Sequence, residues 1–203
     1  MALRFLALGD SYTIGEGVAP GERWPTQLAH RLRAGGIDIG DPQIVATTGW
    51  TTDELSAAMD AEAFSPPYAL VTLLIGVNNQ YRGRPSGEYG GQFRDLLQRA
   101  IALAGGHAAR VIVVSIPDWG GTPFAARDGR DAVRIAREID AFNAIASAET
   151  ASAGAAWVDV TAISRAPGSR KELVADGLHP SGAQYARWTE TVLPLARTAL
   201  AGD

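Results

Sequence analysis

Leu3-Arg4-Phe5-Leu6-Ala7-Leu8-Gly9-Asp10-Ser11-Tyr12 begins as a short run that is apolar at all but one position and stops in a Gly-Asp-Ser turn. A strand with one wet face alternates apolar and polar residues; a run that is apolar almost throughout reads as a strand covered on both faces of a parallel sheet. Four more runs of this kind follow, at residues 43–47, 68–75, 110–116 and 156–160. Helical patterns fill the intervals and predict helices over 26–33, 52–59, 92–104, 131–152 and 183–200. Strand and helix alternate five times, which argues for an α/β fold: an open parallel sheet with helices on both faces.

Some helix starts carry their own chemistry. Thr51 with Glu54, and Ser181 with Gln184, have the three-residue spacing of a capping box, in which each side chain satisfies an orphan N–H of the other residue. On the last helix, Tyr185, Trp188, Val192 and Leu195 form a stripe facing the sheet. Residues 78–91 and 117–129 are punctuated by Gly and Pro and read as long loops. Both follow the carboxyl end of a predicted strand, the edge at which open α/β sheets hold ligands.

Composition narrows the classes of function. The 203 residues are 46% hydrophobic and 20% charged, with no internal repeat or linker, so one domain over 1–203 is expected. Lys and Arg number 18 against 22 Asp and Glu, a net charge of −4 that lacks the basic footprint of nucleic-acid binding. With no cysteine there is no disulfide framework, thiolate nucleophile or cysteine zinc site. The longest apolar stretch, residues 69–77, is about half a membrane span, and the amino terminus lacks a signal-peptide core, so a cytoplasmic protein is expected.

Ser11 has two readings at the end of the first run. It is a helix cap or a phosphate-binding turn, or it is a nucleophile whose hydroxyl is exposed at a strand top and whose N–H faces a bound oxyanion. The phosphate-loop and dinucleotide patterns are both missing around it. A serine nucleophile needs a base, and the chain has three histidines. His30 falls inside a predicted helix and His107 at the amino end of a strand, whereas His179 follows the fifth strand at the same sheet edge as Ser11. Asp176, three residues earlier, can hold the far ring nitrogen as a triad requires. Taken alone, Asp176 and His179 would more often be a surface turn. The histidines and carboxylates show no metal-ligand spacing, and the G-x-S-x-G elbow is absent.

Two further turns converge on Ser11. Gly49 follows the second strand and Asn78 the third, offering a backbone N–H and a side-chain amide as oxyanion donors. Glycine and asparagine are also ordinary turn residues. In the long loops, Asn79, Tyr81, Arg82 and Arg84 are candidate contacts for a sugar or an anionic group, and Trp119 and Phe124 candidate walls of an acyl pocket.

Four blocks in order, Gly9-Asp10-Ser11-Tyr12, Gly49, Gly76-Val77-Asn78-Asn79 and Asp176-Gly177-Leu178-His179, make the chain resemble SGNH hydrolases of the GDSL esterase/lipase family. The resemblance spans nearly the whole chain. It implies a flavodoxin-like three-layer α/β/α sandwich with a five-stranded parallel sheet. It also implies ester hydrolysis through an acyl-enzyme on Ser11, with His179 and Asp176 completing the triad and Ser11, Gly49 and Asn78 forming the oxyanion hole. No cofactor is implied, and the partner is a small-molecule ester: carbohydrate O-acetyl group, short carboxylic ester, lysophospholipid or thioester. Tyr12 stands where the family pattern has Leu, and Asn79 where it frequently has Asp. The competing readings are a ligand-binding α/β domain without turnover and a flavin or nucleotide binder.

Overall fold

In the computed structural model, which describes residues 2–201, the five apolar runs pair into one sheet in which every neighbour is parallel. The strands are β1 Phe5–Gly9, β2 Gln43–Ala46, β3 Leu70–Leu74, β4 Val111–Val114 and β5 Ala156–Val158. Their spatial order is β2-β1-β3-β4-β5. Leaving β1, the chain goes first to one neighbour and later returns to the other, which makes the gap between the ends of β1 and β3 a topological switch point. Gly9 is in register with Ala46 on one side and Leu74 on the other, so the turns that follow these strands share one rim.

Every residue of β1, β3 and β4 is buried, as their lack of alternation requires. Helix α2 (Trp24–Ala34) packs on α9 (Gly182–Leu200), which crosses β3, β4 and β5. Helices α3 (Thr52–Ala61), α5 (Ser86–Leu103) and α7 (Ala132–Ala153) pack in sequence as the other layer. The arrangement is the expected three-layer α/β/α sandwich. Burying each large aliphatic side chain between these layers contributes about 1.5–3 kcal/mol against the entropy of ordering the chain. On α9 the buried stripe runs through Tyr185, Trp188, Val192 and Ala196, with Leu195 at its margin.

The two long loops are more helical than their glycines suggest. Residues 78–91 contain the end of α4 (Val77–Tyr81) and the start of α5 at Ser86, six residues before the expected 92. Tyr89 and Phe93 are buried on α5, and a Cβ on Gly90 would lie 3.2 Å from the Ile145 side chain, so this glycine serves close helix packing and does not break the helix. Within 117–129, α6 (Pro123–Asp128) starts under Thr122, whose hydroxyl accepts from the Ala125 N–H at 3.2 Å, and stops at Gly129 in a left-handed conformation. Of the two capping boxes, Glu54 accepts from the Thr51 N–H at 2.9 Å, whereas the Gln184 amide turns to the carbonyls of Ser169 and Glu172. Among the described residues, no helix is long and apolar enough to cross a membrane.

Candidate active site

The end of β1 fixes Ser11 by steric and capping constraints. A Cβ on Gly9 would lie 2.5 Å from the Leu74 carbonyl and strike the Thr13 side chain, so only glycine lets the strand turn directly into α1 (Ser11–Ile14). Asp10 caps that helix, its Oδ1 accepting from the Tyr12 N–H at 3.0 Å. Ser11 therefore occupies the first turn, where its own N–H has no intrahelical acceptor. The Asp10 carboxyl is fully buried, and no protein donor reaches its Oδ2. Burial pushes its pKa up to about 7 against the opposing pull of the Tyr12 N–H.

His179 reaches Ser11 from the segment before α9. Its Nε2 lies 2.9 Å from Ser11 Oγ and its Nδ1 2.6 Å from Asp176 Oδ2. The other Asp176 oxygen accepts from the N–H groups of Leu178 at 2.7 Å and His179 at 3.0 Å. Burial alone would raise the Asp176 carboxyl, but the His179 ring and these two N–H donors more than offset it and hold it below its ordinary value. The turn is pinned further by Arg127, which donates to the Asp176 carbonyl at 2.6 Å, and by the Val174 N–H, which donates to the His179 carbonyl at 2.9 Å. Tyr12 packs against the imidazole with ring centroids 5.4 Å apart.

The turns after β2 and β3 complete the rim. Gly49 has φ +90°, and its carbonyl accepts from Arg82 Nη2 at 2.7 Å. Asn78 donates one amide hydrogen to the Trp50 carbonyl at 2.9 Å, and an amide carries two. A cavity of about 150 Å3 joins Ser11, His179, Gly49 and Asn78 on its polar side to Val77, Tyr81, Trp119, Phe124 and Leu178 on its apolar side.

The remaining candidates divide. Tyr81, Trp119 and Phe124 meet as an aromatic cluster with centroid separations of 5.4, 6.1 and 6.3 Å. Asn79, by contrast, is not at the cavity wall, which corrects its place among the substrate contacts. It is fully buried, and its amide accepts from the Thr52 N–H at 3.1 Å and donates to the Thr52 hydroxyl at 2.7 Å, tying down the start of α3. Arg82 is likewise outside the cavity lining, its guanidinium divided between the Gly49 carbonyl and Glu54. Arg84 pairs with Asp53 at 2.5 Å.

His30 and His107 are exposed, on α2 and before β4 respectively. Gln80 escaped the sequence reading. Its side-chain carbonyl accepts from the Trp119 indole N–H at 2.8 Å, fixing that ring. Among the described residues, no group of three or more His, Cys, Asp or Glu side chains is arranged to hold a metal ion.

Known proteins share this fold. The model of the GDSL-like lipase/acylhydrolase family matches residues 7–187. The crystal structure of TesA superposes with a TM-score of 0.75 at 25% identity, covering 97% of this chain and 99% of that one. A lipase/acylhydrolase from Enterococcus faecalis superposes with a TM-score of 0.70 at 22% identity, covering 95% and 94%. Axe2, an acetylxylan esterase from Geobacillus stearothermophilus, gives 0.70 at 18%, covering 96% and 94%. The last two are likenesses of fold. Curated protein sequences give no match.

Proposed function

The chain belongs to the GDSL-like lipase/acylhydrolase family and is a hydrolase acting on ester bonds; from that premise we propose that it cleaves small acyl esters through an acyl-enzyme on Ser11. One observation carries the reading: two consecutive hydrogen bonds, 2.9 and 2.6 Å, run from Ser11 Oγ through both His179 nitrogens to Asp176. Ser11 Oγ attacks the ester carbonyl while His179 Nε2 takes its proton, and Asp176 stabilises the imidazolium and fixes its orientation. The oxyanion that forms receives hydrogen bonds from the Ser11 and Gly49 N–H groups and the free amide hydrogen of Asn78. Collapse breaks the bond to the leaving alkoxide, which takes the proton from His179 and departs as the alcohol. Water then gives a proton to His179 and attacks the acyl carbon, a second oxyanion collapses, and Ser11 regains its proton as the acid leaves.

The carbonyl attacked in this way is common to carbohydrate O-acetyl groups, short carboxylic esters and thioesters. The apolar wall beside Ser11 favours a small acyl group as the recognised part.

Labelling with a fluorophosphonate, which requires an activated serine but no knowledge of the substrate, tests the reading. We expect one adduct, located on Ser11 by peptide mass spectrometry and lost in His179→Ala. A folded protein that stays unlabelled would overturn the mechanism in favour of a ligand-binding domain.

A further inference from the structure

We infer that Arg130 is a positioning residue that holds the outer wall of the acyl subsite closed and so limits the acyl group to about the size of benzene; the inference rests on the acyl-enzyme reading above. A cleft of about 150 Å3, polar at its Ser11 end and apolar at Tyr81, Trp119 and Phe124, opens beside Ser11; an enclosed apolar cavity of roughly that volume holds one benzene ring, which sets the upper size of the acyl part. That is room for an acyl chain of about six carbons or a benzoyl group.

The walls of this space are held with unequal strength. Trp119 is 2% exposed and its indole N–H is bonded to Gln80. The Phe124 N–H donates to the Gly177 carbonyl at 3.0 Å, which ties that segment to the turn of the proposed catalytic aspartate. Tyr81 is different: it is the last residue of α4 and its side chain is half-buried, with solvent beyond it.

Arg130 covers that open side from a segment 49 residues away. Its guanidinium carbon lies 4.1 Å from the Tyr81 ring centroid, its Nη1 donates to the Tyr81 carbonyl at 2.7 Å, and its Nε pairs with Asp128 at 2.8 Å. One side chain thus stacks on the ring and grips the backbone of the same residue. This joins the turn after β3 to the segment after β4, the two pieces of chain whose aromatic rings form the wall. Arg130 is not itself part of the cavity lining, so its effect passes through the lining residues it covers, Tyr81 first and Trp119, whose ring centroid is 5.7 Å from the guanidinium carbon, second. The geometry makes the tyrosine a closed wall only while the guanidinium stays in place.

The test is hydrolysis of p-nitrophenyl esters from acetyl to decanoyl, with benzoyl added, by the wild-type protein, Arg130→Met, Arg130→Lys and Tyr81→Ala. For the wild type we expect kcat/KM to hold through hexanoyl and benzoyl and to fall by about tenfold or more at decanoyl, the scale on which a filled apolar pocket rejects excess carbon. Arg130→Met should recover most of that loss through a lower KM for decanoyl, with kcat on acetyl within about twofold of wild type, and Tyr81→Ala, which removes the wall itself, should also lower the KM for decanoyl. Arg130→Lys, which keeps a cation near the ring but loses the planar stack, should restore the short-chain profile only in part.

An unchanged chain-length profile in Arg130→Met, or an equal loss of kcat on every ester, would overturn the inference while leaving the acyl-enzyme reading intact. So would a wild type that cleaves decanoyl as well as butyryl. Failure of the wild type to cleave any ester would overturn both.

Discussion

Asn78 and Trp50 are joined by a single hydrogen bond of 2.9 Å, from the Asn78 amide to the Trp50 carbonyl, which ties the turn after β3 to the turn after β2. The bond uses one amide hydrogen and thereby aims the other. It also holds the peptide chain immediately after Gly49, so two of the proposed oxyanion donors orient each other.

Replacing Asn78 with Ala removes one donor and loosens the other. We expect kcat to fall by roughly a hundred- to a thousandfold, the usual loss for one oxyanion-hole donor, with a much smaller change in KM. Steady-state kinetics on an acetyl ester measures both, and an unchanged kcat would remove Asn78 from the mechanism.

Arg82 acts on the same turn from outside, through its 2.7 Å bond to the Gly49 carbonyl. Arg82→Met should lower kcat about five- to tenfold, the equivalent of one hydrogen bond's worth of positioning. Its exposed pairing with Glu54 adds little to stability, so the melting temperature should barely move. A lowered melting temperature with normal kcat would assign Arg82 to the scaffold.

The buried amide of Asn79 predicts the opposite pattern. Asn79→Leu leaves the Thr52 N–H without its acceptor inside the fold, at a cost of about 1–3 kcal/mol. Urea denaturation should show that loss while kcat on the folded enzyme stays within about twofold. A large kcat loss at unchanged stability would return Asn79 to the substrate site.

Asp10 makes stability depend on pH with the unusual sign for a carboxyl. Its folded pKa of about 7 lies above the ordinary 3.8, so the folded state binds the extra proton between those values. Stability is full below the lower value and declines by about 1.4 kcal/mol per pH unit as pH rises toward the upper one. Asp10→Asn keeps the cap acceptor for Tyr12 and cannot ionise, so its stability relative to wild type should grow steadily across that window. Asp176, held below its ordinary value, contributes stability that is lost only as pH falls through its folded pKa, and it does so equally in both proteins. Parallel stability–pH curves for the two proteins would show that the Asp10 carboxyl titrates as it does in water.

The parts legible in the sequence are those that local pattern controls. Each strand buried on both faces had to read as an apolar run. Ser11, Gly49 and Asn78 each stand just past a strand, so parallel pairing brings them to one rim, whereas His179 stands 21 residues after Val158, the end of β5, and is delivered there by the segment that leads into α9. The start of α5 was hidden because Gly87, Gly90 and Gly91 signal a loop locally, while the helix is held by Tyr89 and Phe93 packing into the core. The partners of Asn79 and Arg82 lie 27 to 33 residues away, and that of Arg130 49 residues away, so spacing along the chain carried no sign of them.

Ser11 and His179 lie 168 residues apart, which orders events in time as well as in space. During synthesis the serine is made before the histidine. Every strand of the sheet is complete before the imidazole exists. The segment that carries His179 leads directly into α9, which is fastened to α2 by Gln27, donating to the Gly182 carbonyl at 3.0 Å, and by Thr189, donating to the Trp24 carbonyl at 3.3 Å. On the proposed mechanism, then, Ser11 stays an ordinary alcohol in any chain whose last helix has yet to close onto the second.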